Sequence, residues 1–285
     1  MSAAEQTSRW ILEIDGETVV VSMTTERPAV LAVHGYKSTG LKSFSAFAEH
    51  LQPHGIGVIA PDLPGFGGST PPITEWLPDD VYSLDRYADF LDTMAAEFNL
   101  PRPAILGHSM GAKIALAAAV RHPDRFGPII LVNPGGFSPW EKLLGRVGSW
   151  DLWYRMLENP TARAVAAHTP FASFVGDRKS VAGLRSFRHA HRGMDLGLSG
   201  IRSQIGGIDK PVLLLWGSDD SVLPRSTPAR VARVVPGLNI QYIAGAGHTP
   251  MMEQPESTAA AVAAFLVGVG YVSGDNSDSA AGSVA

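Results

Sequence analysis

The sequence contains no cysteine, which excludes disulfide bonds, thiol catalysis and cysteine-ligated zinc. It also lacks a run of about 18 apolar residues, and its first residues have neither the basic segment nor the apolar stretch of a signal peptide. Positive charge is not in excess, because the formal net charge is -4. We therefore expect a soluble cytoplasmic protein with no nucleic-acid partner and no membrane partner.

The hydrophobic pattern predicts an α/β fold. The 285 residues, 45% hydrophobic and 18% charged, suffice for one large domain or two small ones. Segments 10–14 and 17–23 flank Asp15-Gly16 and predict a hairpin. Short apolar runs then predict buried strands at 29–33, 56–60, 104–106, 129–132, 212–216 and 240–243. Helical patterns lie between most of them, at 44–51, 84–98, 112–121, 227–235 and 258–267. This alternation predicts a mostly parallel sheet with helices on both faces.

Between residues 135 and 208 the alternation stops, and the sequence shows helical spacing without a clear strand. We expect this insertion to be a helical cap over the carboxyl edge of the sheet, where open α/β sheets bind ligands. The core then comprises residues 1–134 and 209–270. The small, polar tail over 271–285 is expected to be disordered.

The pentapeptide GHSMG at 107–111 follows a buried strand and precedes an Ala-rich helix. Glycines on both sides of Ser109 allow a turn tight enough to expose its Oγ above the sheet. The following helix directs its positive end toward developing negative charge. This context predicts a nucleophile, whereas the plainer alternative is a serine that caps the helix.

A serine nucleophile needs a histidine base that is held by a carboxylate. His248 lies in the glycine-rich loop AGAGHTP after the last predicted strand, although it could be an ordinary surface histidine. The preceding strand is followed by Asp219 and Asp220. The usual spacing sets the acid three residues after a glycine and four before a proline. Gly217 and Pro224 have this spacing from Asp220, which we therefore predict as the acid.

The chain order Ser109, Asp220, His248 resembles the α/β-hydrolase superfamily, of the capped serine esterase and C–C hydrolase type. The resemblance covers about residues 10–268. It includes the HGY segment at 34–36, DLPGFGGS at 62–69 and RHPDRF at 121–126. It implies an α/β-hydrolase fold, a Ser-His-Asp triad, and an oxyanion hole made by the backbone N–H groups of Tyr36 and Met110.

The resemblance also implies the reaction. It favours hydrolysis of a small or medium apolar carboxylic ester, thioester or lactone through an acyl-enzyme. The alternatives are C–C bond hydrolysis of a β-diketone-like substrate, perhydrolysis, and a ligand-binding receptor on a hydrolase fold. A serine nucleophile disfavours dehalogenase and epoxide hydrolase chemistry, which need an aspartate. Thr249 stands where aromatic C–C hydrolases have tryptophan. No metal-ligand spacing occurs, so we expect neither a metal nor a cofactor.

Candidates for contact with a small-molecule substrate are the insertion's Trp140, Trp153, Arg188 and Arg192, together with His34. The arginines lie in a segment with ten Lys or Arg against five Asp or Glu over 135–208, and one of them could pair with a substrate anion. The alternative roles are an aromatic cap core, a solvated basic face and, for His34, support of the oxyanion loop. The sequence also leaves a homodimer open.

Overall fold

The computed structural model of the protein describes residues 8–14, 16–24, 28–36, 38–69, 83–137, 159, 161, 198 and 200–273. Within these ranges the strands are β1 (Ser8–Ile14), β2 (Glu17–Met23), β3 (Pro28–Val33), β4 (Gly57–Pro61), β5 (Ala104–His108), β6 (Ile129–Val132), β7 (Val212–Gly217) and β8 (Asn239–Ile243). The α-helices are α1 (Gly40–Leu51), α2 (Leu84–Glu97), α3 (Met110–Arg121), α4 (Arg202–Ile205), α5 (Thr227–Ala232), α6 (Pro250–Glu253) and α7 (Pro255–Gly268). A 3₁₀ turn at Gln52–His54 follows α1.

The strands form one sheet in the order β1-β2-β4-β3-β5-β6-β7-β8. β1 and β2 pair antiparallel, as do β2 and β4, and every later pairing is parallel. Every residue of β4, β5, β6 and β7 is buried, because hydrophobic clusters cover both faces of the sheet. Helices α2 and α3 contribute to one cluster, and α1 and α7 to the other. The predicted fold class is confirmed.

Helix α1 begins at Gly40, four residues before the predicted start at residue 44. The hydroxyl of Thr39 accepts a hydrogen bond from the Lys42 backbone N–H at 3.1 Å, so Thr39 is the N-cap. The prediction placed the start too late because it followed the apolar pattern and overlooked this cap.

Both ends of the predicted cap insertion contribute to the cluster formed with α2 and α3. Phe137 lies in this cluster at one end, and Leu198, Ile201, Ile205 and Ile208 lie in it at the other. Of the residues between them, the structure describes only 159 and 161. That this insertion forms a helical cap stays a prediction, as do the domain boundaries.

The end of the described chain is anchored to the sheet through Tyr271. Its hydroxyl accepts a hydrogen bond from the Ala104 N–H at 2.8 Å. The same hydroxyl can donate to the Ala29 carbonyl at 3.1 Å or to the Arg102 carbonyl at 3.0 Å. Tyr271 therefore joins the starts of β3 and β5, although the sequence assigned it to a disordered tail. Residues 274–285 lie outside the described residues.

None of the helices in the described ranges is long and apolar enough to cross a bilayer.

Candidate active site

Ser109 occupies a strained turn between β5 and α3. Its φ is 52° and its ψ is -109°, in a region that residues with side chains rarely adopt. A Cβ on Gly107 would overlap the Gly111 carbonyl, and a Cβ on Gly111 would overlap the Val33 carbonyl. Both glycines are thus required by close backbone approach.

Hydrogen bonds to neighbouring backbone hold this turn in place. The Ser109 N–H donates to the Val132 carbonyl at 2.9 Å, and the Ser109 carbonyl accepts from the Gly135 N–H at 3.1 Å. The strained serine is therefore fixed against the end of β6 and the segment after it.

The structure brings together the three residues that the sequence predicted as nucleophile, base and acid. His248 Nε2 lies 3.1 Å from the Ser109 Oγ, and His248 Nδ1 lies 2.9 Å from the Asp220 Oδ2. They follow β5, β8 and β7, and the carboxyl ends of parallel strands meet at one edge of the sheet. An ionised carboxylate can only accept, so Nδ1 carries the proton and Nε2 is free to accept the serine hydroxyl proton.

Asp220 is held as a buried carboxylate. One oxygen accepts from the backbone N–H groups of Val222 and Leu223, at 2.7 and 3.0 Å. The other accepts from His248 and from the Asn133 side-chain amide at 2.6 Å. Burial raises the pKa of Asp220, but the hydrogen bonds from His248, Leu223 and Asn133 outweigh it and lower the pKa to about 2. Asp220 is therefore negative at neutral pH.

The neighbouring Asp219 is placed differently. Its side chain is exposed and accepts a hydrogen bond from the Ser218 hydroxyl at 3.1 Å. The structure thus puts Asp220 rather than Asp219 beside His248, as the spacing from Gly217 predicted.

Asn133 is a structural partner of the acid that the sequence did not identify. It is fully buried, has a φ of 42°, and accepts a hydrogen bond from the Gly217 N–H at 3.1 Å while donating to Asp220. The sequence analysis gave it no role. A polar residue at the end of a buried strand, at the edge that carries the site, was the available signal.

The loop that carries His248 is clamped by Glu253, a second residue that the sequence did not identify. Its carboxylate accepts from the Gly247 N–H at 2.7 Å, from the Thr249 N–H at 2.9 Å and from the Thr249 hydroxyl at 2.7 Å. Burial raises the pKa of Glu253, but these hydrogen bonds hold it below its ordinary value. The capping box that sequence patterns report has its Glu three residues after the Thr, whereas here the separation is four.

His108 supports the same loop from beneath. Its Nε2 lies 2.9 Å from the His248 carbonyl, which can only accept, so Nε2 carries the proton. Burial, with the nearby His248, lowers the pKa of His108 to about 3. His108 is therefore a neutral ring that holds the main chain of the candidate base.

The predicted oxyanion donors lie at the ends of adjacent elements. Val33 in β3 pairs with Gly107 in β5, so the loop with Tyr36 and the start of α3 with Met110 follow neighbouring strands. A Cβ on Gly111 would also lie against the His34 carbonyl, which shows how closely the two segments approach. This arrangement is compatible with two backbone donors that face one point above Ser109.

His34 is fully buried, and both of its ring nitrogens contact backbone. Nε2 accepts from the Leu63 N–H at 3.0 Å, so Nδ1 carries the proton and donates to the Gly35 carbonyl at 2.8 Å. Burial lowers the pKa of His34, partly offset by the Gly35 carbonyl and Asp62. These contacts favour support of the oxyanion loop over contact with a substrate.

The other predicted substrate contacts, Trp140, Trp153, Arg188 and Arg192, lie outside the described residues. In the part of the chain that the structure describes, no three His, Asp or Glu side chains are grouped as a metal site requires.

Comparison with known proteins places this geometry in context. The sequence profile of a family described as alpha/beta hydrolase fold matches residues 28–199. The chain is 24% identical over 282 residues to the 2-hydroxy-6-oxononadienedioate/2-hydroxy-6-oxononatrienedioate hydrolase of Cupriavidus pinatubonensis, covering 91% of this chain and 95% of the relative. It is 25% identical over 263 residues to Lipase 3 of Moraxella sp., covering 84% and 78%. The solved structure of a thermophilic esterase from Thermogutta terrifontis has a similar fold, with a TM-score of 0.68 and 23% identity over 92% of this chain and 99% of that one.

Proposed function

Because the chain belongs to the α/β-hydrolase fold family, we propose that it is a serine hydrolase that cleaves an apolar carboxylic ester, thioester or lactone through an acyl-enzyme. The observation that carries the proposal is the hydrogen-bonded series from Ser109 through His248 to Asp220. Such a series turns a weakly nucleophilic hydroxyl into an attacking group at neutral pH.

In the proposed first half-reaction, the Ser109 Oγ attacks the substrate carbonyl while His248 Nε2 accepts its proton. The ionised Asp220 stabilises the imidazolium through Nδ1–H. The backbone N–H groups of Tyr36 and Met110 donate to the tetrahedral oxyanion, and the loss of one such donor costs about 3 kcal/mol in other enzymes. The imidazolium then protonates the leaving alcohol, thiol or ring oxygen.

In the second half-reaction, His248 takes a proton from water, which attacks the acyl group on Ser109. This attack forms a second tetrahedral intermediate, and its collapse releases the acid and returns the proton from His248 to the serine. The backbone contacts of His248 to His108 and of its neighbours to Glu253 support this double use, because the ring must keep one position through both steps.

A C–C hydrolase is the second candidate, and it is favoured by the similarity to the Cupriavidus hydrolase over nearly the whole of both chains. The similarity to Lipase 3 favours the ester reaction instead. The presence of Thr249 after His248 leads us to prefer the ester, since aromatic C–C hydrolases typically have tryptophan there.

The test is turnover of p-nitrophenyl esters of increasing acyl length by the wild type and by Ser109→Ala. Ser43→Ala is the matched control, because Ser43 is a buried serine whose hydroxyl bonds only to Ser38 among the described residues. We expect sustained turnover by the wild type and the control, and its loss in Ser109→Ala. A fluorophosphonate should label the wild type at the Ser109 peptide and leave Ser109→Ala unlabelled.

Other outcomes would reject parts of the proposal. Ester turnover that persists in Ser109→Ala would exclude this serine as the nucleophile. Absence of ester turnover together with cleavage of a β-diketone-like substrate would favour the C–C hydrolase. A single slow turnover that leaves part of the ligand attached to Ser109, with no sustained turnover of either substrate, would favour a receptor.

A further inference from the structure

Strand β1 presents an exposed and apolar edge at one end of the sheet. It pairs only with β2 among the described strands, and it is the outermost strand in the order. Ile11 is 66% exposed and Trp10 is 48% exposed. These neighbouring residues point to opposite faces of the strand, so both faces are apolar at its centre.

Natural edge strands are usually protected against pairing with another chain. The common devices are a short strand, charged side chains (lysine above all), a proline or a bulge. β1 has seven residues, SRWILEI, without lysine or proline, and its pairing with β2 runs in unbroken register from Ser8 to Ile14. Its charged side chains are Arg9 and Glu13, and no strand among the described residues pairs with its outer edge.

The charges of β1 are arranged symmetrically about Ile11. Arg9 precedes Ile11 by two residues and Glu13 follows it by two, so all three side chains lie on the same face. Both charged residues are exposed. The Glu13 carboxylate accepts a hydrogen bond from the Thr18 hydroxyl at 2.7 Å, and Arg9 takes part in none of the ion pairs found between described residues. A second copy of β1, placed antiparallel about Ile11, would put each Arg9 opposite a Glu13.

We propose that the protein forms a homodimer in which the β1 strands of two copies pair antiparallel, with the two-fold axis at Ile11. On one face Ile11 meets its own copy between two Arg9–Glu13 pairs. On the other face each Trp10 meets the Leu12 of the other copy. Directly opposed residues in such a ladder have Cβ atoms about 4.5 to 5.5 Å apart, close enough for both kinds of contact.

The charge pattern selects this register from its neighbours. A shift of two residues keeps the side chains on the same faces. In one direction it puts Arg9 opposite Ile11 and Glu13 opposite Thr7; in the other it puts Glu13 opposite Ile11 and Arg9 opposite Asp15, the residue after the end of β1. A parallel arrangement in register would put Arg9 against Arg9 and Glu13 against Glu13. Only the antiparallel arrangement about Ile11 pairs the two charged residues of β1 with each other and also brings the two Ile11 side chains together.

The proposed interface is remote from the candidate active site. The residues of that site follow β5, β7 and β8, whereas β1 lies at the opposite end of the strand order from β7 and β8. The dimer therefore leaves both sites open. The proposal does not depend on the reaction, because its test measures mass rather than turnover.

The first experiment is sedimentation equilibrium of the full chain over a range of concentrations. One pair of edge strands is a small interface, so we expect a dissociation constant of about 1 to 100 μM. Ile11→Lys places two like charges on the axis and removes the Ile11–Ile11 contact, so it should weaken the dimer by about tenfold or more. Tyr242→Lys is the matched control, because Tyr242 is 62% exposed on β8, the other edge strand, and should leave the dimer unchanged.

A charge-reversal cycle tests the register. Arg9→Glu and Glu13→Arg each create two like-charge contacts by symmetry, and each should weaken the dimer by about tenfold. The chain that carries both reversals has opposite charges facing each other again, so its affinity should return toward that of the wild type. These positions are exposed in the monomer, and circular dichroism checks that every variant folds.

Several results would overturn the proposal. A single-chain mass up to about 1 mM would exclude the dimer at useful affinity. A dimer that survives Ile11→Lys or dissociates with Tyr242→Lys would place the interface elsewhere. A double reversal no tighter than the single ones would reject the register. A monomeric full chain that dimerises only after removal of residues 1–7 would assign the edge to the protein's own N-terminal segment.

Discussion

Replacement of Asn133 by aspartate tests whether the side-chain amide of Asn133 holds the carboxylate of Asp220. The change keeps the size and shape of the side chain, but it places a second carboxyl group against the Asp220 Oδ2, which lies 2.6 Å from the present amide nitrogen. Two carboxylates at this distance cannot both ionise without a large penalty. The introduced carboxyl should therefore stay protonated and donate an O–H to Asp220, while its other oxygen still accepts from the Gly217 N–H.

The magnitude of the effect follows from this protonation. A carboxyl group has a pKa of about 3.9 in the unfolded chain, and each pH unit of enforced protonation costs about 1.4 kcal/mol. At pH 7 the Asn133→Asp variant should therefore lose about 4 kcal/mol of unfolding free energy, unless the site relaxes. The folded pKa of the introduced carboxyl is raised, so the loss should shrink as the pH falls and nearly vanish at pH 4.

The assay is urea unfolding of the wild type and the variant between pH 4 and pH 8. Asn99→Asp is the matched control, since Asn99 also has a positive φ, 48°, but is exposed. It should change the unfolding free energy by less than about 0.5 kcal/mol at every pH. If the loss in Asn133→Asp is independent of pH, or equals that of the control, then the amide of Asn133 does not hold the acid as we argue.

Three further results are expected. Glu253→Gln should lower kcat about tenfold at constant KM, because the exposed carboxylate binds three groups of the loop that carries His248. Thr249→Val should have a smaller effect. Equal p-nitrophenyl ester kinetics for the wild type and Glu253→Gln would contradict this. Tyr271→Phe should lose about 1 to 2 kcal/mol of unfolding free energy in urea and keep kcat, and unchanged stability would remove its role as an anchor. The pKa of Asp220 is lowered to about 2 in the folded protein, so its carboxylate stabilises the fold. This contribution is complete above the unfolded pKa near 4 and is lost as the pH falls through about 2. The unfolding free energy of Asp220→Asn, measured over the same acid range, should lack this loss.

The sequence was sufficient for the sheet because buried parallel strands are nearly continuous apolar runs. Every predicted strand lies within an observed strand or within one residue of one. GHSMG lies at the turn between β5 and α3, and this turn requires its two glycines. The helix boundary at α1 was less accurate, since it depends on the single hydroxyl of Thr39 rather than on a repeating pattern.

The polar supports of the site could not be predicted in the same way. The position of Asn133 at the end of a buried strand indicates the site but not its partner, since Asp220 is distant in sequence. Glu253 lies four residues after Thr249, a spacing that differs from the usual capping box. The role of Asn133 depends on the pairing of β6 with β7, which brings Val132 beside Leu215 and hence Asn133 near Gly217. Such contacts are consequences of the strand order, which the sequence analysis did not predict.

The position of His248 illustrates how a glycine-rich loop can hold a base. The loop's own sequence offers little rigidity, because glycine loses more conformational freedom on folding than other residues. The rigidity comes instead from hydrogen bonds. His108 binds the His248 carbonyl, and Glu253 binds the N–H groups on either side. The segment after β7 also binds the loop, through the Asp219 N–H and the Ser218 hydroxyl. Asp220 then needs only to orient the ring, and its own position depends on Asn133. Substitution of Asp220 should therefore impair the chemistry with little displacement of the loop, whereas substitution of Glu253 should displace the loop while Asp220 stays in place.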